Sequence, residues 1–312
     1  MTRVLVVGAG SIGTRHARVL AAAGADVAVC DPDPARATAA GARVVDFHPG
    51  QFGGYDAVVI ASPSVFHLEQ ARAALRTSAR VLVEKPLATC AAGLDDLADE
   101  AGARLMVAYN LRCHAPVARV MELVHGGRAG RVLGARLWFG SWLPDWRPGS
   151  DYRHSYSARA DLGGGILLDA IHELDLLLWL FGDDRFEVLG AEVGRAGPLA
   201  IDVEDTVKAV LRHATGVPVD VSLDYLSRRY RRGIEVVGDV ATIRLDWARR
   251  VIEIEDADDV VVEPARDPVD RSYEVQARRF LAVARGEAAP LVDARTGAQS
   301  VRLADRIRAA GR

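Results

Sequence analysis

The chain of 312 residues is poor in cysteine: Cys30, Cys90 and Cys113 are its only three. They lie far apart, with no metal-ligand spacing and no disulfide framework, which fits a reducing cytoplasm. An excess of basic charge is also missing. The 39 Lys and Arg stand against 42 Asp and Glu, and a net charge of −3 argues against broad nucleic-acid binding. Long apolar runs are absent too. The longest, Leu174 to Phe181, is interrupted by Asp175 and cannot span a bilayer. The apolar start Val4–Val7 is too short for a signal peptide and runs straight into glycines, so it reads as a first strand. No internal repeat and no low-complexity tract interrupts the chain. The expectation is a cytoplasmic protein of two domains, with no metal, nucleic-acid or membrane partner.

What is present begins with Gly8-Ala9-Gly10-Ser11-Ile12-Gly13, directly after that first strand and directly before a helical pattern that runs to Ala23. A second strand, Asp26–Cys30, ends at Asp31. Glycines at these spacings permit a tight turn and close approach of a pyrophosphate to Ser11 and Ile12 at the helix N-terminus. An acid at the end of the next strand accepts hydrogen bonds from the adenosine ribose hydroxyls, and it would repel a 2′-phosphate. The motif therefore predicts a dinucleotide, NAD rather than NADP.

Strands and helices then alternate. Strands at Ala42–Val45, Asp56–Ala61, Arg80–Val83 and Arg104–Tyr109 are separated by helices at Val65–Arg76 and Cys90–Gly102. This grammar predicts a doubly wound parallel sheet, which binds ligands beyond the carboxyl ends of its strands. Gly8, Ser62, Pro63, Glu84, Lys85, Asn110 and Arg112 fall at or just past such ends, with His67 one turn further on. Lys85 is suited to stabilising a developing alkoxide.

After a helix at Pro116–His125 the pattern changes. A long strand, Arg131–Trp142, leads into an irregular segment over 143–164. Strand-like runs at about 187–193, 205–212, 217–225, 231–237, 241–246, 251–256 and 258–263 then follow one another without helices. They predict an α/β domain with a large, mostly antiparallel open sheet, closed by amphipathic helices at Ser272–Arg285 and Ala294–Ala310. The boundary is placed at residue 118, giving a nucleotide-binding domain 1–118 and a substrate and oligomerisation domain 119–312.

Between these strands stands Gly163-Gly164-Gly165, running into an apolar helix predicted to extend over 166–181. Three glycines let another molecule approach the backbone. The helix carries Asp169 and His172, which at a spacing of three share a face. A carboxylate beside an imidazole fixes its tautomer and suits it to acid–base work. The preceding segment interleaves Trp142, Trp146, Tyr152 and Tyr156 with Arg147, Arg153, His154 and Arg159. Flat aromatic rings suit the CH faces of sugars, and arginine forks suit anionic groups, so Trp146, Arg153, Tyr156 and Arg159 are candidate substrate ligands.

The glycine fingerprint, Ser62-Pro63 with His67, Val83-Glu84-Lys85-Pro86-Leu87, and the triple glycine before Asp169 and His172 together resemble the Gfo/Idh/MocA oxidoreductases. The resemblance covers nearly the whole chain. It implies a Rossmann domain, a second α/β domain with an open sheet, and reversible oxidation of a secondary alcohol on a sugar, sugar derivative or cyclitol with NAD. Carried over, it makes Lys85, Asp169 and His172 catalytic and substrate-contacting, and implies a homodimer or homotetramer. The usual family pattern is D-x-G-x-H; here the acid and His172 are three apart and Glu173 follows, which resembles a D-x-x-H-E-x-D variant. An NAD-dependent glycosidase and a non-catalytic NAD- or sugar-sensing regulator are the alternatives.

Overall fold

The computed structural model describes residues 1–46, 48 and 52–311. The chain divides into two compact units. The first holds residues 1–113 and 269–301, the second 114–268 and 302–312.

In the first unit, strands β1 (Arg3–Val7), β2 (Asp26–Cys30), β3 (Arg43–Val44), β4 (Ala57–Ile60), β5 (Arg80–Val83) and β6 (Leu105–Val107) form one sheet. Its order is β3-β2-β1-β4-β5-β6 and every pairing is parallel. The order reverses between β1 and β4, the switch point at which such sheets bind nucleotides. Strands β1, β2, β4, β5 and β6 are buried apolar runs, as in a sheet covered by helices on both faces, whereas the edge strand β3 is exposed. The connecting helices are α1 (Ser11–Ala22), α2 (Pro34–Ala39), α3 (His67–Leu75) and α4 (Leu94–Ala101). Helix α4 is shorter than the predicted Cys90–Gly102, because Gly93 takes a left-handed φ of 75° that starts the helix only at Leu94.

The second unit opens with α5 (Ala115–His125) and β7 (Val132–Gly140), and continues through short turns over 143–162 to α6 (Ile166–Asp169) and α7 (His172–Phe181). Strands β8 (Phe186–Gly194), β9 (Thr206–His213), β10 (Pro218–Asp224), β11 (Arg231–Gly238), β12 (Thr242–Asp246), β13 (Val251–Glu255) and β14 (Val260–Pro264) follow. With β7 they make an eight-stranded sheet of order β14-β13-β12-β11-β7-β10-β9-β8. All its pairings are antiparallel except β7 with β10. Helices α5, α6 and α7 pack on the sheet. Along β9, Val207, Ala209 and Leu211 are buried while Lys208, Val210 and Arg212 are exposed, the alternation of a sheet covered on one face.

The predicted boundary at 118 and the assignment of the whole C-terminal part to the second domain both need correction. Helix α5 belongs entirely to the second unit, whereas α8 (Val269–Ala284) and the first half of α9 (Ala294–Ala310) belong to the first. The reason is the apolar face of α8. Ala277, Phe280, Leu281 and Val283 join the same core as Val4, Val6, Leu20 and Val29.

Candidate active site

In the first unit the fingerprint glycines divide into two kinds. A Cβ on Gly13 would overlap the carbonyl oxygen of Gly8, and one on Gly8, whose φ is 94°, would overlap the Ala61 carbonyl. These two glycines close the turn. A Cβ on Gly10 would meet nothing within 4 Å, so space is left beside the backbone there. Helix α1 starts from Gly10 with no side-chain cap, which leaves its first amide donors and the positive end of its dipole for an anion. Asp31 is pinned in place: Ala9 N donates to Oδ2 (2.7 Å) and Asp33 N to Oδ1 (2.8 Å). The cradle would suit a dinucleotide: the free amide donors at Gly10, Ser11 and Ile12 are what a pyrophosphate needs, and the Asp31 carboxylate is what a ribose needs. A cavity lined by Cys30, Val45, Phe52 and Tyr55 lies at the end of β2; the sequence offered no motif for it.

Around Glu84-Lys85-Pro86 the structure places two histidines, His16 and His67. His16, on α1, donates from Nε2 to Glu84 Oε1 at 2.7 Å in a buried pair, while Lys85 N donates to Glu84 Oε2 at 3.1 Å. Burial alone would raise the Glu84 carboxyl, but the His16 hydrogen bond and charge, with Lys85, hold it below the usual range. This buried link ties the helix of the glycine turn to the loop that carries Lys85, and no sequence signal distinguished His16. His67 is fully enclosed: Nδ1 faces the Pro86 carbonyl at 2.7 Å and Nε2 the Ser62 carbonyl at 2.9 Å. Burial pushes its pKa down against the pull of those two carbonyls. Its motif marks His67 as a cofactor ligand; in the structure its two ring nitrogens face the Ser62 and Pro86 carbonyls and join those loops. Ser62 donates to Gln70 (2.7 Å), and Lys85 itself is half-buried. Asn110 is buried, with its amide donating to Ser272 Oγ at 2.7 Å; it ties the end of β6 to α8. Arg112 is half-buried two residues on.

In the second unit the predicted single helix is two. Helix α6 ends at Asp169, Ala170 leaves helical geometry, and α7 starts at His172. Asp169 and His172 therefore stand on either side of a break rather than along one helical face. Asp169 is half-buried and accepts a 2.6 Å hydrogen bond from the phenol of Tyr225, which follows β10. The Tyr225 ring is fully buried; burial and the Asp169 charge raise its pKa well above that of a free tyrosine, so it stays a donor. His172 is 8% exposed, and Glu173 and Asp175 beside it are buried.

At Gly164 and Gly165 the space is filled by the chain's own atoms, contrary to the expectation of an open approach. A Cβ on Gly164 would overlap the carbonyls of Tyr156, Ser157 and Arg159, and one on Gly165, whose φ is 108°, would overlap the Glu204 carboxylate. Glu204 also receives Leu167 N at 3.3 Å, at the start of α6. Burial raises its carboxyl pKa.

The aromatic segment is braced in the same way. Tyr156 donates to Gly163 O (2.9 Å), and Trp146 packs edge-on against Phe139 and Tyr225, 5.9 and 5.3 Å between centroids. Trp146 thus touches the ring that holds Asp169. Its indole N–H is buried with no partner among the described residues. Arg153 is paired with Asp151 at 2.6 Å, holding that carboxyl down to about 2, and Arg159 is paired with Asp161. Both arginines are exposed and already charge-compensated by an acid two residues away.

No helix among the described residues is long and apolar enough to cross a membrane. The family model of oxidoreductases with an NAD-binding Rossmann fold matches residues 2–109, and that of the GFO/IDH/MocA C-terminal domain matches residues 117–244. The chain is 32% identical, over 78% of its length and 72% of the relative's, to an inositol 2-dehydrogenase of Acidothermus cellulolyticus. It is 31% identical, over 59% of its length and 54% of the relative's, to a 1,5-anhydro-D-fructose reductase of Ensifer adhaerens. Its fold is similar, with a TM-score of 0.85 at 21% identity and 99% and 97% of the two chains covered, to a levoglucosan dehydrogenase solved with NADH and levoglucosan.

Proposed function

The chain belongs to the GFO/IDH/MocA oxidoreductase family, and from that premise we propose that it interconverts a secondary alcohol and a ketone on a neutral sugar or cyclitol. The observation that carries this reading is the arrangement at the end of the glycine turn. A carboxylate locked by Tyr225 precedes a nearly buried imidazole at the first position of α7.

His172 takes the hydroxyl proton and returns it in the reverse direction. Asp169 orients the ring and favours its protonated form as the proton arrives. Lys85 donates to the substrate oxygen and stabilises the alkoxide. Bound NAD supplies the hydride acceptor. The buried His16–Glu84 link keeps the backbone that carries Lys85 in place. The three-residue spacing with Glu173 after His172 is the D-x-x-H-E-x-D variant of the family pattern. Pairing of Arg153 and Arg159 with their neighbouring acids favours a neutral polyol over an anionic sugar, and the relatives named for inositol and anhydrofructose support that class. The uncovered face of the eight-stranded sheet is the surface we assign to self-association as a dimer or tetramer.

The test is a panel of neutral polyols and matched sugar acids with NAD, reading NADH absorbance and, on glycosides, aglycone release. His172→Ala and Lys85→Ala are each expected to lower kcat about 10²–10⁴-fold while NAD affinity, read by calorimetry, is unchanged. Turnover retained in the double variant removes the assignment. Aglycone release without net NADH redirects it to transient oxidation and elimination.

A further inference from the structure

Helix α7 is apolar on nearly every side, yet its second residue is a glutamate buried to 1% exposure. Its partner is Arg232 on β11. Arg232 Nε donates to Glu173 Oε1 at 2.6 Å and Nη2 to Oε2 at 3.1 Å, a two-point fork. The guanidinium lies against the rings of Phe139 (5.3 Å) and Trp247 (5.6 Å), and its side chain is 11% exposed. Burying both charges is costly, and an apolar pair of similar volume at such a position often serves stability as well or better. Stability is therefore a weak reason for a buried glutamate on this helix.

Geometry supplies a better one. At Ala170 the regular helical ladder gives way to tighter turns, Ile171 N to Leu168 O at 3.4 Å and Glu173 N to Ala170 O at 3.1 Å, so the junction holds α7 in rotation less firmly than an unbroken helix would. A leucine packed there would tolerate rotation of the helix about its axis. A planar fork with two fixed hydrogen bonds does not. Glu173 adjoins His172, so fixing one fixes the direction of the other.

We propose that the Glu173–Arg232 pair is the positioning element for His172, clamping the first turn of α7 to β11 so that the imidazole is held at the angle proton transfer requires. The proposal rests on the reading of His172 as the proton-transfer group. On this view the glutamate of the D-x-x-H-E-x-D variant is an anchor and not a second acid. It stands in for the continuous helix that the broken backbone lacks.

The experiment compares Glu173→Gln, Arg232→Lys and the charge-free double variant Glu173→Leu/Arg232→Met. Each is assayed for kcat, KM, NAD affinity, the pH dependence of kcat, and the ¹⁵N shifts of the His172 ring. The single variants are expected to lose about ten- to a hundredfold in kcat, as small misplacements of catalytic groups do. KM and NAD affinity should hold, while the pH midpoint and the ring shifts move. The double variant leaves no unpaired charge and so keeps its fold, but its kcat should stay at the level of the single variants. A folded double variant with native kcat, pH profile and ring shifts would overturn the proposal, since the pair would then be packing alone. If His172→Ala itself retains native turnover, the reading beneath fails, whatever the pair variants do.

Discussion

The two glycine turns of this chain look alike in sequence and serve opposite purposes. At Gly8–Gly13 two glycines are consumed by backbone packing, while Gly10 faces open space at an uncapped helix start. At Gly163–Gly165 the space beside Gly164 and Gly165 is taken by the carbonyls of Tyr156, Ser157 and Arg159 and by Glu204. One turn is shaped around something that arrives; the other is shaped around the protein itself, so that Asp169 and His172 are presented from a rigid base. The lesson is that a glycine shows where a side chain cannot go, not what occupies the room it leaves.

The contrast is broken or sharpened most strongly by adding methyl groups. Gly13→Ala and Gly164→Ala each force an overlap with backbone carbonyls and should cost about 3 kcal/mol or more of stability, read by urea unfolding. Gly10→Ala should unfold like the native chain yet bind NAD at least about tenfold more weakly, because only the ligand needs that space. Equal behaviour of Gly10→Ala and Gly13→Ala would erase the distinction. A smaller effect is expected from Tyr225→Phe. Losing the phenol that holds Asp169 should reduce kcat by about tenfold, the cost of one hydrogen bond to a charged group, and leave NAD affinity untouched. A change confined to NAD affinity would place Asp169 outside the chemistry.

The smallest effect concerns Glu204. Burial raises its folded-state pKa above the unfolded value, so the folded state binds the extra proton. Its contribution is full below the unfolded pKa and is lost as pH rises through the folded one. Glu204→Gln should therefore flatten the stability profile over that window and leave neutral-pH stability equal to the native value or up to about 1 kcal/mol higher. Denaturant midpoints across a pH series give the answer; an unchanged slope would mean that the carboxyl is not the titrating group.

The first unit was more legible than the second for physical reasons. Parallel strands buried on both faces are short apolar runs, and the glycine motif and Asp31 bracket them. The return of α8 to that unit was hidden, because an amphipathic pattern shows that a helix has an apolar face and not which sheet the face will cover. The break at Ala170–Ile171 was hidden too. Neither residue is a helix breaker, and the apolar run continues through it. Asn110, His67, Arg153 and Arg159 show a third limit. A polar residue in a loop reads the same from sequence whether it awaits a ligand or is already bonded to Ser272, Pro86, Asp151 or Asp161.

The one parallel seam in the second sheet bears on the order in which the protein assembles. Ala135 of β7 pairs with Val219 of β10, with α6, α7, β8 and β9 lying between them along the chain. The neighbouring hairpins β9–β10, β11–β12, β12–β13 and β13–β14 join strands that follow one another directly. Loop-closure entropy grows with the length enclosed, so the hairpins can zip early and independently, while the seam waits for everything between its strands to condense. That intervening stretch holds the glycine turn, Asp169, His172 and the Glu173 anchor. Closure of the β7–β10 seam is therefore tied to the ordering of the catalytic stretch, and a substitution that slows the folding of that stretch is expected to delay the seam while leaving the hairpins β11–β12, β12–β13 and β13–β14 unaffected.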